Sequence, residues 1–495
     1  MSIEFSQRLK ALPGYPLAEI PALKRRLIER GVDVIDLGAG DNDAPPPAVA
    51  VEAMTEALAD PAYSKYGFQQ GLLAFRQASV RWVERRFGFR FDPTTETLPL
   101  IGSKEGLSHL PFAVVNPGDA TIIPEPGYQA YIGGSILAGA EPHVVPLRPE
   151  NRFLLELEQV PEAVLRRAKL VFLNYPNNPT AAVATPEYLE RTVAVCRRYG
   201  ILLAYDNAYC DLTFDGYRAP SIFEVSGARE VALEFFSLSK SFSMTGWRIG
   251  FAVGRPELIG ALTRVKSYTD TGPFLAVQRA GVAALDRAEE LVEPIRAELE
   301  RRRDAAVPAL KQAGFVVDSP KAAMYLWVAL PPELPSAEFA RRALEETGTV
   351  VLPGSGFGPG GEGFFRIALT VGPDRLREAA GRLGRILAPA GRSALASTAW
   401  PQRASSPPAA SLARDRGQRG RARGPGGAVH RRGPAAGAAT PRAVADRAGA
   451  ARARPRSGGD ALPPRQAARR AGGSGRRSRR WPSRAPAAPA GGAAA

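Results

Sequence analysis

Val231-Ala232-Leu233-Glu234-Phe235-Phe236-Ser237-Leu238-Ser239-Lys240-Ser241-Phe242-Ser243-Met244-Thr245-Gly246-Trp247-Arg248-Ile249-Gly250 is the stretch on which the reading of this chain turns. An apolar run of strand length ends in a cluster of hydroxyls around one lysine. An arginine follows two turns later, and a second apolar run, Ile249 to Val253, comes directly after it. Polar residues gathered at the end of a strand are where open α/β sheets present their ligand sites. Taken alone, the stretch fits a surface lysine in a serine-rich turn slightly better, so its meaning depends on what surrounds it.

Outward from this stretch, apolar runs of strand length alternate with helical patterns between about residues 50 and 280. Thr97 to Ile101, Ala120 to Ile123, His143 to Pro146, Leu170 to Leu173, Leu202 to Tyr205, Val231 to Phe236 and Ile249 to Val253 read as strands. Ala48 to Leu58, Leu72 to Phe87, the stretch from Gly102 through His109 and Ala113, and Pro186 to Tyr199 read as helices. Alternation of this kind predicts an α/β fold with a mostly parallel sheet covered on both faces. Beyond Pro273, one long helical stretch (Ala276 to Ala313) leads to short strands at Phe315 to Val317, Met324 to Val328 and Phe365 to Leu369. These predict a smaller α+β domain. The expected layout is an N-terminal arm over residues 1–45 packing with the small domain, a large domain over 46–275, the small domain over 276–388, and a tail over 389–495.

The tail carries the charge. The whole chain has a formal net charge of +16. Residues 391–495 hold 22 Arg and 3 Asp with no Lys or Glu, a net of +19, which leaves the first 390 residues at −3. A segment of Ala, Arg, Gly, Pro and Ser cannot bury enough apolar surface to offset chain entropy, so disorder is expected there. Such a segment is either a basic arm for nucleic acid or G+C-rich DNA read out of frame after a shift near Ala388; the missing Lys, Glu, Ile, Tyr and Phe favour the latter. Two cysteines, Cys196 and Cys210, make no disulfide framework, and three scattered histidines, His109, His143 and His430, make no metal cluster. The N-terminus lacks a basic, then apolar, leader, and no run of 18 apolar residues occurs. A cytoplasmic protein without membrane spans is expected.

Lys240 acquires partners from the other strand ends. Asp206, ending Leu202 to Tyr205, is positioned to pair with a pyridine nitrogen, or else to cap a helix. Asn178, in Asn174-Tyr175-Pro176-Asn177-Asn178-Pro179-Thr180, and Tyr209 could donate to a ring phenolate. Gly102-Ser103-Lys104 opens a helix, whose free N–H groups bind phosphate. Ser237, Ser239 and Arg248 supply side chains for the same phosphate, and Tyr128 could stack on a ring. Arg366, between Phe365 and Ile367, is either an edge-strand arginine facing water or the fork for a substrate carboxylate. The cofactor that asks for this set is pyridoxal 5′-phosphate, with Lys240 forming the Schiff base to its aldehyde.

Asn178-Pro179-Thr180, Asp206-x-x-Tyr209, Ser237-x-Ser239-Lys240 with Arg248, and Arg366 together resemble the class I/II pyridoxal-phosphate-dependent aminotransferases of fold type I. Tyr15 to Ile20, Gly31 to Gly38, Ile101 to Gly106, Val115 to Asp119 and Phe357-Gly358-Pro359 look like the LL-diaminopimelate aminotransferase group. The resemblance covers roughly residues 5–388. It implies ping-pong amino transfer between an amino acid and a 2-oxo acid, with LL-diaminopimelate and 2-oxoglutarate first and alanine, aspartate or a broad range of amino acids as the alternative. It also implies that Lys240 moves the substrate proton, that Tyr15, Gly40 and Arg366 contact substrate, and that Tyr66 reaches the neighbouring phosphate in a homodimer with shared sites. The chain departs from the pattern at Ala181, Asn42, Gln69 and in Asn207-Ala208-Tyr209-Cys210. The first three lie in loops on the substrate side, and none touches the lysine chemistry.

Overall fold

A computed structural model describes residues 3–14 and 20–387. The expected substrate contact Tyr15 and the whole tail from 389 onward lie outside the described residues.

Thirteen strands fall into three sheets among the described residues. β1 (Ile35–Asp36) comes first. β2 (Thr97–Leu100), β3 (Ala120–Glu125), β4 (Glu141–Pro146), β5 (Ala168–Leu173), β6 (Leu202–Asp206), β7 (Ala232–Ser237) and β8 (Gly250–Gly254) form a seven-stranded sheet in the order β2-β8-β7-β6-β5-β3-β4. β8 is antiparallel to both its neighbours, and the remaining pairs are parallel. Strands β5 to β8 are buried almost throughout, as expected of a sheet covered on both faces by helices. β9 (Val316–Val317), β10 (Tyr325–Ala329), β12 (Leu352–Pro353) and β13 (Phe364–Ala368) form an antiparallel sheet in the order β12-β13-β10-β9, and β11 (Thr349–Val350) pairs with β1. The mostly parallel, mixed large sheet and the smaller α+β unit match the expected fold class.

Two expectations need correction. The helical stretch from Ala276 to Ala313 is two helices, Leu275–Asp286 and Ala288–Gln312, because Arg287 leaves helical geometry at φ −118°, ψ 25°. The N-terminal arm also divides. Leu27 packs with Leu344 and Val350, and Asp33 pairs with Arg375 and Arg382, so that part lies on the small sheet's helices. The short helix Gln7–Ala11 instead lies against the helix Gln129–Ala138 of the large sheet, where Arg8 donates to Leu137 O at 3.3 Å. The short helix buries no side chain of its own.

Candidate active site

Five strand ends and one reversed strand make the site. Leu100, Glu125, Leu173, Asp206 and Ser237 close strands that run the same way, so the loops after them share one edge of the sheet. β8 runs against these strands, which brings Arg248, two residues before its start, to the same edge. Arg248 sits at φ +54° in the left-handed region. Its Nη1 donates to Thr245 O at 2.9 Å and reaches Ser239 Oγ at 3.5 Å. A Cβ on Gly102 would lie 2.9 Å from Arg248 Cζ, and Gly102 has φ +69°, so only glycine allows the arginine against the start of the helix Ser103–Val114. A Cβ on Gly250 would meet Phe236 O at 2.5 Å and Ser103 N at 3.0 Å. The two glycines thus clear a cradle lined by Ser103, Lys104, Ser239 and Arg248, with free N–H groups at the helix start. Ser237 caps the four-residue helix Leu238–Ser241, which carries Lys240, by accepting from Ser239 N at 3.2 Å.

The remaining polar groups form one connected net. Lys240 Nζ donates to Gly40 O at 2.5 Å. Gly40 has no room for a side chain, because Tyr325 occupies the place its Cβ would take. Two residues earlier, Gly38 O accepts from Arg366 Nη2 at 2.8 Å, and Arg366 Nη1 donates to Asn178 Oδ1 at 2.7 Å. Asn178 N donates to Asn174 Oδ1 at 2.7 Å, and Asn174 Nδ2 to Asp206 O at 2.7 Å. Because a guanidinium can only donate, Asn178 must present its oxygen to Arg366. Its Nδ2 hydrogens therefore take no part in that bond.

Asp206 is buried on β6, where Tyr131 O–H donates to Oδ2 at 2.8 Å while Oδ1 has no partner. Burial pushes its carboxyl up to about 7 against the help of Tyr131 and the Ala208 N–H. A buried carboxylate with one open oxygen favours a cationic ring N–H as the missing partner. It is not exposed at a helix N-cap. Arg366 lies on β13, flanked by β12 and β10, and is 5% exposed, so the edge-strand alternative is excluded. Its guanidinium lies 4.1 Å from the Tyr325 ring and 4.9 Å from Phe357, and its Nε is unpartnered. That donor and the free hydrogens of the terminal nitrogens suit a carboxylate. Tyr209 bonds through its hydroxyl to Tyr325 Oη at 3.1 Å, and burial raises it well above the ordinary tyrosine range.

Tyr128 begins the helix Gln129–Ala138, with Lys104 Nζ 5.7 Å from its ring centroid. Tyr66 lies apart from the net. It is 80% exposed and stacks on the exposed Phe68 at 6.2 Å. The net thus joins Lys240, Asp206, Asn178, Tyr209, Arg366 and Gly40, with the phosphate cradle beside it, and leaves out Tyr66. Sequence reading missed Tyr131, Asn174 and Tyr325. Tyr131 sits one helical turn from Tyr128, a spacing that could have flagged it. Tyr325 is 116 residues from Tyr209 and carries no local signal. Among the described residues the only close trio of possible metal ligands is Glu105, His109 and Asp270, and the buried Lys266 ammonium bridges its two carboxylates at 2.6 and 3.0 Å.

The residues present fit pyridoxal phosphate: a glycine-cleared cradle for phosphate, an open carboxylate oxygen for the ring nitrogen, and a lysine next in sequence to the cradle's Ser239. Comparison with known proteins gives the same answer. The family model described as aminotransferase class I and II matches residues 32–383. The LL-diaminopimelate aminotransferase of Aquifex aeolicus is 48% identical over 380 residues, covering 77% of this chain and 98% of the relative. That of Nitratidesulfovibrio vulgaris is 46% identical over 386 residues, covering 78% and 100%. A solved structure of a probable N-succinyldiaminopimelate aminotransferase from Thermus thermophilus is similar with a TM-score of 0.72 at 41% identity, covering 75% of this chain and 99% of that one.

Proposed function

The chain belongs to the class I and II aminotransferases, pyridoxal-phosphate-dependent transaminases, and on that premise we propose that it transfers the amino group of LL-diaminopimelate to 2-oxoglutarate, and the reverse in lysine biosynthesis. One observation carries the assignment of roles: Asp206 Oδ1 and Arg366 Nε are buried and unpartnered, and the Gly38–Gly40 backbone ties the arginine to the Lys240 amine. Residues 46–275 hold the cofactor, residues 276–388 form the smaller domain, and the part of the arm from residue 20 to 45 packs with it.

Pyridoxal phosphate, when bound, supplies an electron sink that stabilises negative charge at the substrate α-carbon. Ser103, Lys104, Ser237, Ser239 and Arg248 hold its phosphate. Asp206 would pair with the ring nitrogen, whose positive charge would keep the carboxylate ionised at neutral pH in spite of burial. Asn178 and Tyr209 would donate to the ring oxygen, and Tyr128 would stack on the ring. Arg366 takes the substrate carboxylate and fixes the α-carbon before Lys240. The Lys240 amine would act as the base at the substrate α-carbon and hold the proton it takes there. Gly40 O already holds that amine, so the segment around Gly40 lines the substrate side.

The two curated relatives support LL-diaminopimelate as the amino donor. The Thermus structure supports a second reading, a related amino acid with a different distal end. The exposed Tyr66–Phe68 pair supports a homodimer in which Tyr66 reaches the partner's phosphate. Among the described residues no helix is long and apolar enough to cross a membrane, and a cytoplasmic setting is part of the proposal. Borohydride treatment of the yellow, cofactor-loaded protein followed by peptide mapping tests the assignment. The cofactor mass should appear on the peptide holding Lys240, and Lys240→Ala should lose turnover. A label on any other lysine would overturn it.

A further inference from the structure

The roles above leave Phe357-Gly358-Pro359 without a task. Close approach explains the glycines on either side of Pro359. A Cβ on Gly358 would lie 2.5 Å from Glu125 Cδ, and φ there is +110°. A Cβ on Gly360 would lie 3.0 Å from Glu125 O. Glu125, the last residue of β3, accepts from Gly360 N at 2.7 Å, and Gly127 N donates to Phe357 O at 3.0 Å. Two bonds therefore fasten this turn of the small sheet to the residues that lead into Tyr128. The same turn presents the Phe357 ring to the Arg366 guanidinium at 4.9 Å. A ring face beside a cation attracts it, and also keeps water from the carboxylate that the cation will meet.

We propose that Glu125 is a positioning residue for substrate: by holding the Gly358–Gly360 turn it keeps Phe357 against Arg366, and so sets the affinity for the carboxylate shared by amino donor and oxo acid. This rests on the reading that Arg366 takes that carboxylate. A mere loop brace would affect stability alone. The positioning role instead acts on KM for both half-reactions, because both substrates use the same fork.

The test compares Glu125→Ala, Glu125→Gln, Gly358→Ala and Arg366→Lys in the cofactor-loaded enzyme. Steady-state kinetics are measured with both substrates, and succinate binding by calorimetry. Glu125→Ala and Gly358→Ala should each raise both KM values and the succinate Kd by about ten-fold, with much smaller effects on kcat and no change in the cofactor's absorption. Glu125→Gln keeps an acceptor oxygen for Gly360 and should bind succinate as the parent does. Unchanged succinate affinity in Glu125→Ala, or a Glu125→Gln as impaired as Glu125→Ala, would overturn the proposal. If Arg366→Lys binds succinate as tightly as the parent, the carboxylate reading falls and the proposal with it. If Arg366→Lys loses succinate while Glu125→Ala keeps it, only the proposal falls.

Discussion

Tyr131 holds one oxygen of Asp206 at 2.8 Å and leaves the other open, which is the arrangement a cationic ring nitrogen needs. Tyr131→Phe removes that donor without changing the ring stacked on Phe172 at 4.8 Å. Ionising the buried carboxylate then becomes harder, and pyridoxal phosphate should dissociate about ten-fold more readily, equivalent to one hydrogen bond to a charged group. Titration of the cofactor-free variant with pyridoxal phosphate measures this; an unchanged Kd would show that the tyrosine is only packing. Ala181 makes a second test at this scale. It stands in the left-handed region at φ +58°, where a Cβ is strained and the pattern has glycine. Ala181→Gly should gain about 0.5–1 kcal/mol in urea unfolding. A loss would mean that the buried methyl matters more than the backbone strain. Asp206, Asn178 and Arg366 were legible because each sits next to an apolar run that ends or contains it. Tyr131 and Tyr325 were not, because what makes them functional is a partner 75 or 116 residues away.

At the scale of elements, the apolar runs located nearly every strand of the large sheet, since strands buried on both faces need no alternation to be seen. Their order and the reversal of β8 were not visible, and that reversal brings Arg248 to the site. The run Val231 to Phe236 hid one polar device. Glu234 on β7 is fully enclosed, accepting from Asn207 Nδ2 at 2.7 Å and Ser221 Oγ at 2.5 Å. Burial pushes its carboxyl up to about 8. The folded protein therefore keeps this proton where the unfolded chain, near 4.5, has lost it. Its contribution to stability is present below pH about 4.5 and is lost as pH rises toward 8. Glu234→Gln removes this dependence, so the Tm of the variant minus that of the parent should grow from pH 5 to pH 9. A difference that stays flat would contradict the buried-carboxyl account. The break at Arg287 was missed because Ala, Leu and Arg on both sides keep the helical pattern running through it.

At the scale of the whole molecule, separating the charge of the tail from that of the body prevented the net +16 from being read as a nucleic-acid surface. The cofactor and reaction type were legible because they depend on a few residue types at strand ends. The amino donor was less so, because it depends on loop shapes at Asn42, Gln69 and the residues around Gly40. The most direct measurement is glutamate formation by the purified, pyridoxal-phosphate-loaded protein from LL-diaminopimelate and 2-oxoglutarate. The account predicts glutamate at the rate LL-diaminopimelate is consumed, and none from the Lys240→Ala variant. No glutamate from LL-diaminopimelate, with rapid formation from alanine or aspartate instead, would contradict it.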